Sequence, residues 1–429
     1  MDHDHLLPAA LEAMRHAGAD KAGATLSRSS KSELNVDAGR MSLLRTTESC
    51  RLGLTALVED RRGSIGTNRL DGESVAAAAR EAVDLARSSP PDPANEIAPA
   101  SPPSALGYGD REPDLAAMYD RLEEFLAWSA ETHPTVKLEQ CILDFTGGTW
   151  RYVNTNGVDL RDRTGLYRFT AMFTAKDGAK TSSFNYSGGA SRGLGRPLRD
   201  WGSVATLMRQ SGEQLDVGAV GGSFTGQVLI SPDCLGDFVS LLDWVYLSDS
   251  SLIKGSSPFR ESLGQPVASP LFTLRSAPRS VEAESFYTPD GFVAEDSAYV
   301  EKGVLRGFSL SLYGARKTGR ARAPNAGDCW MVDAGETPLD DIIRTIDRGL
   351  LLCRFSGGMP TQTGDFSGVA KNSYLIEGGR IARPVNETMI SGNVGALFRD
   401  LTAVSRERID YGTTVLPWVL TGNVNISGG

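Results

Sequence analysis

Between Val136 and Tyr186 apolar and polar residues alternate, and Asn156-Gly157 and Asp177-Gly178 interrupt the pattern. A period of two sends successive side chains to opposite faces of a strand, while Asn-Gly and Asp-Gly readily adopt the positive backbone angles of tight hairpins. The stretch predicts an antiparallel meander and excludes a doubly wound parallel sheet here. Shorter alternating runs between Ala24 and Arg69, such as Leu52 to Val58, predict more strands, with turns at Asp37-Ala38-Gly39 and Asp60-Arg61-Arg62-Gly63. Apolar residues at helical spacing predict helices over Leu6 to Ala17, Ser74 to Ser88, Asp114 to Thr132 and Leu198 to Leu215. Six prolines between Ser89 and Ser104 predict an exposed linker within this unit.

With 429 residues the chain is longer than one hydrophobic core usually serves, and the three glycines of Gly218 to Gly222 mark a boundary. The expected fold class is α+β in two domains. Residues 1–222 form an N-terminal α/β unit with a curved antiparallel sheet, and residues 223–429 form a strand-rich, β-barrel-like C-terminal domain. The second domain opens with a strand over Gly226 to Ile230, and its helices are expected near Cys234 to Tyr246, Leu339 to Leu352 and Asn393 to Asp400.

Lys and Arg number 44 against 53 Asp and Glu, and the resulting net charge of -9 disfavours a nucleic-acid partner. The start, Met1-Asp2-His3-Asp4-His5, carries acid where a signal peptide carries base, and no apolar run reaches the length of a membrane span. A cytoplasmic protein without a membrane partner is expected. Five cysteines, at positions 50, 141, 234, 329 and 353, are odd in number and far apart, so they predict buried free thiols.

Catalytic options are narrowed by a shortage of imidazole, since the only histidines are His3, His5, His16 and His133. Gly189-Ala190-Ser191-Arg192-Gly193 fits G-x-S-x-G, yet no histidine follows it to act as base, so it reads as a glycine-rich turn. His133 reads as a residue at a helix end, and the Asp2 to His5 cluster as too terminal for a rigid metal site. Zinc catalysis needs about three protein ligands, and no histidine pair occurs beyond His16. Gly193-Leu194-Gly195 is followed by Arg196-Pro197 and is no phosphate loop. One rival remains: Ser251-Leu252-Ile253-Lys254 fits S-x-x-K and Lys317-Thr318-Gly319 fits K-T-G, the marks of a stand-alone serine hydrolase with Ser251 as nucleophile and Lys254 as base.

A longer series of motifs is more specific. Thr363-Gly364-Asp365-Phe366-Ser367, then Tyr374 to Val385 with Glu377-Gly378-Gly379-Arg380 at a hairpin turn, then Ile390-Ser391-Gly392-Asn393, resemble the TldD/PmbA signature in order and spacing. Upstream, Asp290-Gly291, Val300 to Gly307, Tyr313 to Arg316 and Asn325-Ala326-Gly327 are similar to further blocks of that family. The resemblance spans roughly residues 225 to 429 and is weaker in the N-terminal half. In the TldD branch, a helix after the first strand of the C-terminal domain carries HExxxH, and a late cysteine completes the zinc site. Here Ser231-Pro232-Asp233-Cys234-Leu235-Gly236 follows that strand, and no cysteine occurs after Cys353. The chain therefore resembles the zinc-free PmbA/TldE branch.

The resemblance implies a noncatalytic or partner-dependent subunit of a metallopeptidase that processes or degrades unfolded or modified peptides. No catalytic or metal residue is expected in this chain, and zinc is expected only in a TldD-type partner. A heterodimer with that partner or a homodimer would hold extended peptide by strand pairing. Thr363, Gly364, Asp365, Phe366, Ser367 and Asn393 are the expected peptide-binding or structural motif. Older naming in the family also raises regulation of DNA gyrase, which the acidic balance disfavours.

Overall fold

The computed structural model describes residues 5–386 and 388–428. Residues 2–4 of the acidic histidine-bearing start lie outside them, so the cluster is not placed. Helix α1 (Leu6–His16) leads into strands β1 (Lys21–Asp37), β2 (Arg40–Val58) and β3 (Arg61–Thr67), followed by α2 (Gly72–Ser88), β4 (Ser104–Tyr108) and α3 (Leu115–Thr132). The meander is β5 (Val136–Asn154), β6 (Asp159–Asp177), β7 (Lys180–Thr181) and β8 (Asn185–Ser191), and α4 (Val204–Glu213) closes this half. The sheet runs β3-β2-β1-β5-β6-β4, with β7 and β8 also paired to β6. Asn154 to Gly157 and Asp177 to Gly178 form the predicted turns, with Gly157 at φ +95 and Gly178 at φ +58.

The N-terminal strands are longer than their sequence pattern indicates. β1 and β2 run unbroken for 17 and 19 residues, whereas only parts of them are buried on one face. Two helical packs explain this. α1 and α2 cover Ala22, Ala24, Leu52 and Leu54, while α3 and α4 cover Leu34, Val36, Leu143 and Phe169 farther along the same sheet. Between the packs the strands carry polar side chains, which breaks the apolar alternation without breaking the ladder.

The proline run is less exposed than expected, because Ala94, Ile97 and Ala98 are buried. It forms a strap between the two halves. Asp92 accepts from Lys317 Nζ at 2.7 Å and from Tyr313 Oη at 2.8 Å, and Glu96 is held by Lys21 Nζ at 2.7 Å. Ala98 joins Tyr152 and Leu160 of the first sheet and Phe286 and Tyr287 of the second domain in one apolar cluster. The Lys317 ammonium holds the Asp92 carboxyl down at about 2. Its folded value lies below the ordinary 3.8, so this tie is present above that pH and is lost as pH falls through about 2. Asp92→Ala is expected to speed limited proteolysis within residues 89–103 at neutral pH, read as the rate of appearance of the two fragments.

The second domain opens with β9 (Phe224–Ile230) and α5 (Pro232–Leu242), followed by a π-helical turn over Asp243–Leu247. β9 pairs in parallel with the strand Arg348–Leu352 and antiparallel with the strand Val415–Ser427. The expected barrel is not formed among the described residues. The thirteen strands make an open, branched sheet, because Val415–Ser427 bonds different neighbours along its length. Alternation then serves two cores: Val228 and Ile230 face the one that includes α5, and Leu229 faces one with Ile342 and Ile346. The helix expected over Leu339 to Leu352 stops at Arg344, and Leu350 to Leu352 form a buried strand instead. Two further short helices, Asp249–Ile253 and Leu312–Thr318, also occur.

Candidate functional site

α5 begins where its sequence dictates. Ser231 has extended backbone at the N-cap, Pro232 takes the first helical position where no N–H is needed, and Asp233 lies in the first turn. Cys234, Leu235, Phe238, Val239 and Leu242 recur at helical spacing and are buried, so Asp233 and Asp237, four residues apart, share the opposite face. That face borders a cleft of about 410 Å³ walled by Tyr186, Gly188 and Gly189 of β8, by Arg354, and by Tyr411 to Thr414.

Arg354 is the cleft's central cation and is only 9% exposed. Its Nη2 donates to Asn185 Oδ1 at 3.1 Å and to the Tyr186 carbonyl at 2.9 Å, and its guanidinium lies 3.7 Å from the centroid of the Tyr186 ring. Ser187 Oγ donates to Asp233 Oδ1 at 3.4 Å and accepts from the Ser203 backbone N–H at 3.0 Å. The Ser203 and Tyr411 hydroxyls lie 3.2 Å apart. Burial pushes the Asp233 carboxyl up, against the hydroxyls of Ser203 and Tyr411 and the charge of Arg354, which draw it down. Burial also raises Asp237, which sits at the open mouth; Arg354 opposes the rise and Asp233 adds to it. Phe184 and Tyr186 stack at the rim with ring centroids 6.3 Å apart and remain 48% and 42% exposed.

These residues do not suit a catalytic zinc ion. Asp233 is committed to hydroxyl donors, Arg354 brings a fixed positive charge, and Cys234 faces the core with its thiol held well above the ordinary value by burial. Cys353 is likewise buried and raised. Among the described residues no three His, Cys, Asp or Glu side chains converge as a metal site would require. All five cysteines are free, with Cys50 and Cys329 only half-buried.

The motif at 363–367 does not line the cleft. Asn393 Nδ2 donates to the Thr363 carbonyl at 2.8 Å and to Asp365 Oδ1 at 2.9 Å, while Asn393 Oδ1 caps the helix Val394–Arg399 by accepting from the Ala396 N–H. Tyr246 Oη donates to the Thr363 carbonyl at 3.1 Å and accepts from the Gly395 N–H at 3.0 Å. Asp365 and Asn393 are also paired across their strands, so the structure brings Thr363, Asp365 and Asn393 together. Gly364 has φ +92 and sits against the Tyr246 hydroxyl. Phe366 is buried edge-on to Phe238 of α5, whereas Ser367 is exposed.

The other motifs separate. Ser251 is 6% exposed with its hydroxyl on the Ser248 carbonyl at 3.0 Å, and Lys317 is spent on Asp92 of the strap. Gly189 to Ser191 belong to β8 rather than to a turn. His133 caps α3 and packs edge-on against Trp128. Arg354, Asn185, Ser187 and Tyr411 belong to no motif in the sequence. The one signal there is a charged residue directly after the apolar run Leu350 to Cys353.

A helix set behind the first strand of an open β-sheet and turned toward a cleft against a mainly antiparallel N-terminal sheet, where β4 departs from the expected pattern by running parallel to β6, defines a two-domain α+β protein. Residues 223–428 match the PmbA/TldA metallopeptidase C-terminal domain, and residues 24–86 match the PmbA/TldA metallopeptidase domain 1. The chain belongs to the PmbA/TldD family. It is 23% identical over 409 residues to metalloprotease PmbA of Escherichia coli O157:H7, covering 85% of this chain and 84% of that one. A metalloprotease PmbA homolog of Haemophilus influenzae is 23% identical over 404 residues, covering 86% and 85%. The fold is similar to the crystal structure of TldE from Thermococcus kodakarensis, with TM-score 0.80 and 18% identity over 98% of this chain and all of that one. No helix among the described residues is long and apolar enough to cross a membrane.

Proposed function

We propose that this chain is a PmbA/TldE-type, noncatalytic subunit of a cytoplasmic metallopeptidase that processes or degrades unfolded or modified peptides. The observation that carries the reading is the face of α5. At the place where the related TldD-type chains are expected to hold zinc, it presents two aspartates, Asp233 held by hydroxyls and Asp237 at the mouth, both within the field of Arg354. A cation there stabilises anionic groups and opposes a divalent metal. Zinc and the reactive water would then belong to a TldD-type partner.

The role left to this chain is to hold the substrate and its partner. Leu52 to Val58 of β2 pair with β3, while Arg40 to Ser49 have no neighbour on their outer side among the described residues. Leu43 and Leu44 are exposed on that edge, which suits addition of a strand from extended peptide or from a second subunit. Phe184 and Tyr186 add a stacking surface at the cleft rim. On this reading Thr363, Gly364, Asp365, Phe366, Ser367 and Asn393 brace the sheet behind α5.

The test is hydrolysis of an unfolded peptide by the purified chain alone and after addition of a TldD-type subunit. The expected result is no hydrolysis alone and chelator-sensitive hydrolysis by the pair. Peptide cleavage by the isolated chain with one zinc per chain would overturn the reading. Chelator-resistant cleavage abolished by Ser251→Ala would favour the serine hydrolase instead.

A further inference from the structure

The gap between the two helical packs of the N-terminal sheet is a cavity of about 800 Å³, within the range of small-molecule sites. Its floor follows from strand register. Arg28 pairs with Cys50 on one side and Thr149 on the other, and Thr149 pairs with Arg163. Directly paired residues point to the same face, so Arg28, Thr149 and Arg163 form one row across three strands. In the next row Ser30 pairs with Glu48. Arg28 lies two residues from Ser30 on β1, so both rows face the side that carries the helices.

The wall is built as deliberately as the floor. The segment before α3 passes so close to the sheet that a Cβ on Gly165 would meet the Asp110 carbonyl at 1.9 Å, and one on Gly147 the Arg111 carbonyl at 2.9 Å. Glycine at both positions lets this segment bring Arg111 to the lip. Arg163 Nη1 donates to the Gly109 carbonyl at 3.0 Å and ties the floor to the wall. Three guanidinium groups and one carboxylate thus line a single cavity.

We infer that this cavity binds a short peptide with a free C-terminus. Its carboxylate lies between Arg28, Arg111 and Arg163, and its ammonium group is directed to Glu48. Guanidinium forks match a carboxylate, and the Ser30 and Thr149 hydroxyls supply further donors. The arginines of the floor stand on β1 and β6, one and three inter-strand steps from Glu48 on β2, or roughly 5 and 14 Å. An extended tetrapeptide spans roughly 13 Å and can reach across that range. This inference rests on the substrate-holding role proposed above and places it in the cavity beside the β2 edge, and binding by the isolated chain tests it separately from hydrolysis by the pair.

The test is calorimetric titration of the full chain with tetra-alanine, its C-terminal amide, its N-acetyl form and inorganic phosphate. Tetra-alanine is expected to bind and its amide to bind about tenfold more weakly. Arg28→Gln and Arg111→Gln should each weaken tetra-alanine by about tenfold with thermal unfolding unchanged, the second at an exposed lip that tolerates substitution. N-acetylation should weaken binding to the wild type and leave binding to Glu48→Gln unaffected. Equal affinity for acid and amide, binding of phosphate without binding of peptide, or no heat at millimolar peptide would overturn the inference. An acetylation effect that persists in Glu48→Gln would overturn the orientation.

Discussion

Arg354→Met is expected to cost about 3 kcal/mol of folding stability, and the loss should deepen as pH rises. The substitution keeps the length of the stem but removes the donors to Asn185 and the Tyr186 carbonyl. Both acceptors then remain in a site where Arg354 itself is 9% exposed, with little water to replace it. The pH dependence comes from α5. Burial already holds Asp233 above the ordinary aspartate value of 3.8, so the native state binds its proton more tightly than the unfolded chain does. Stability from such a group is fully present below 3.8 and is lost as pH rises through the folded value. Loss of the neighbouring cation moves that value further up, which extends the decline toward neutrality. Urea unfolding of both proteins between about pH 4 and pH 8 reads the effect directly. A deficit that does not change with pH would show that Arg354 acts through its hydrogen bonds alone.

Gly364→Ala is expected to cost about 3 kcal/mol, while Gly358→Ala, a few residues away, should be close to neutral. Two effects add at Gly364. Its φ of +92 is strained for any residue with a Cβ, and that Cβ would lie 2.0 Å from the Tyr246 hydroxyl. The hydroxyl cannot retreat without releasing the Thr363 carbonyl and the Gly395 N–H, which it joins across two segments. A Cβ at Gly358 meets nothing within 4 Å. Denaturant midpoints for the two variants provide the comparison, and equal midpoints would mean that the Tyr246 network yields freely.

Much of the first domain could be read from the chain because hairpin chemistry and helical spacing agree there: the turns at Gly157 and Gly178 and helices α1 to α3 lie close to their expected places. Residues 339–352 show why other elements could not. Leu350, Leu351 and Leu352 are buried on both faces of a sheet, and a short apolar run of that kind carries no period that separates strand from helix. The barrel-like expectation failed for a related reason. Strand content is local, whereas closure depends on which distant strands pair, and Val415–Ser427 pairs in ways that branch the sheet. The 363–367 motif and Asn393 were legible as a constellation but not as a bonded network. The cleft was the least legible part, since Asn185, Ser187, Asp233, Arg354 and Tyr411 come from four separated segments and none belongs to a catalytic pattern.

The position of Val415–Ser427 beside β9 has a consequence for biogenesis. The strand that opens the second domain emerges from the ribosome long before the segment that must zip against its antiparallel side. Until then its hydrogen-bonding edge and the apolar flank of α5 stay uncovered, and a contact of such wide sequence separation is entropically slow to form. The first domain, whose widest pairing, β1 with β5, closes a shorter loop than that and lies wholly upstream of β9, can mature during translation. The second completes itself only afterwards, and chaperone dependence should therefore be concentrated in the later half of synthesis.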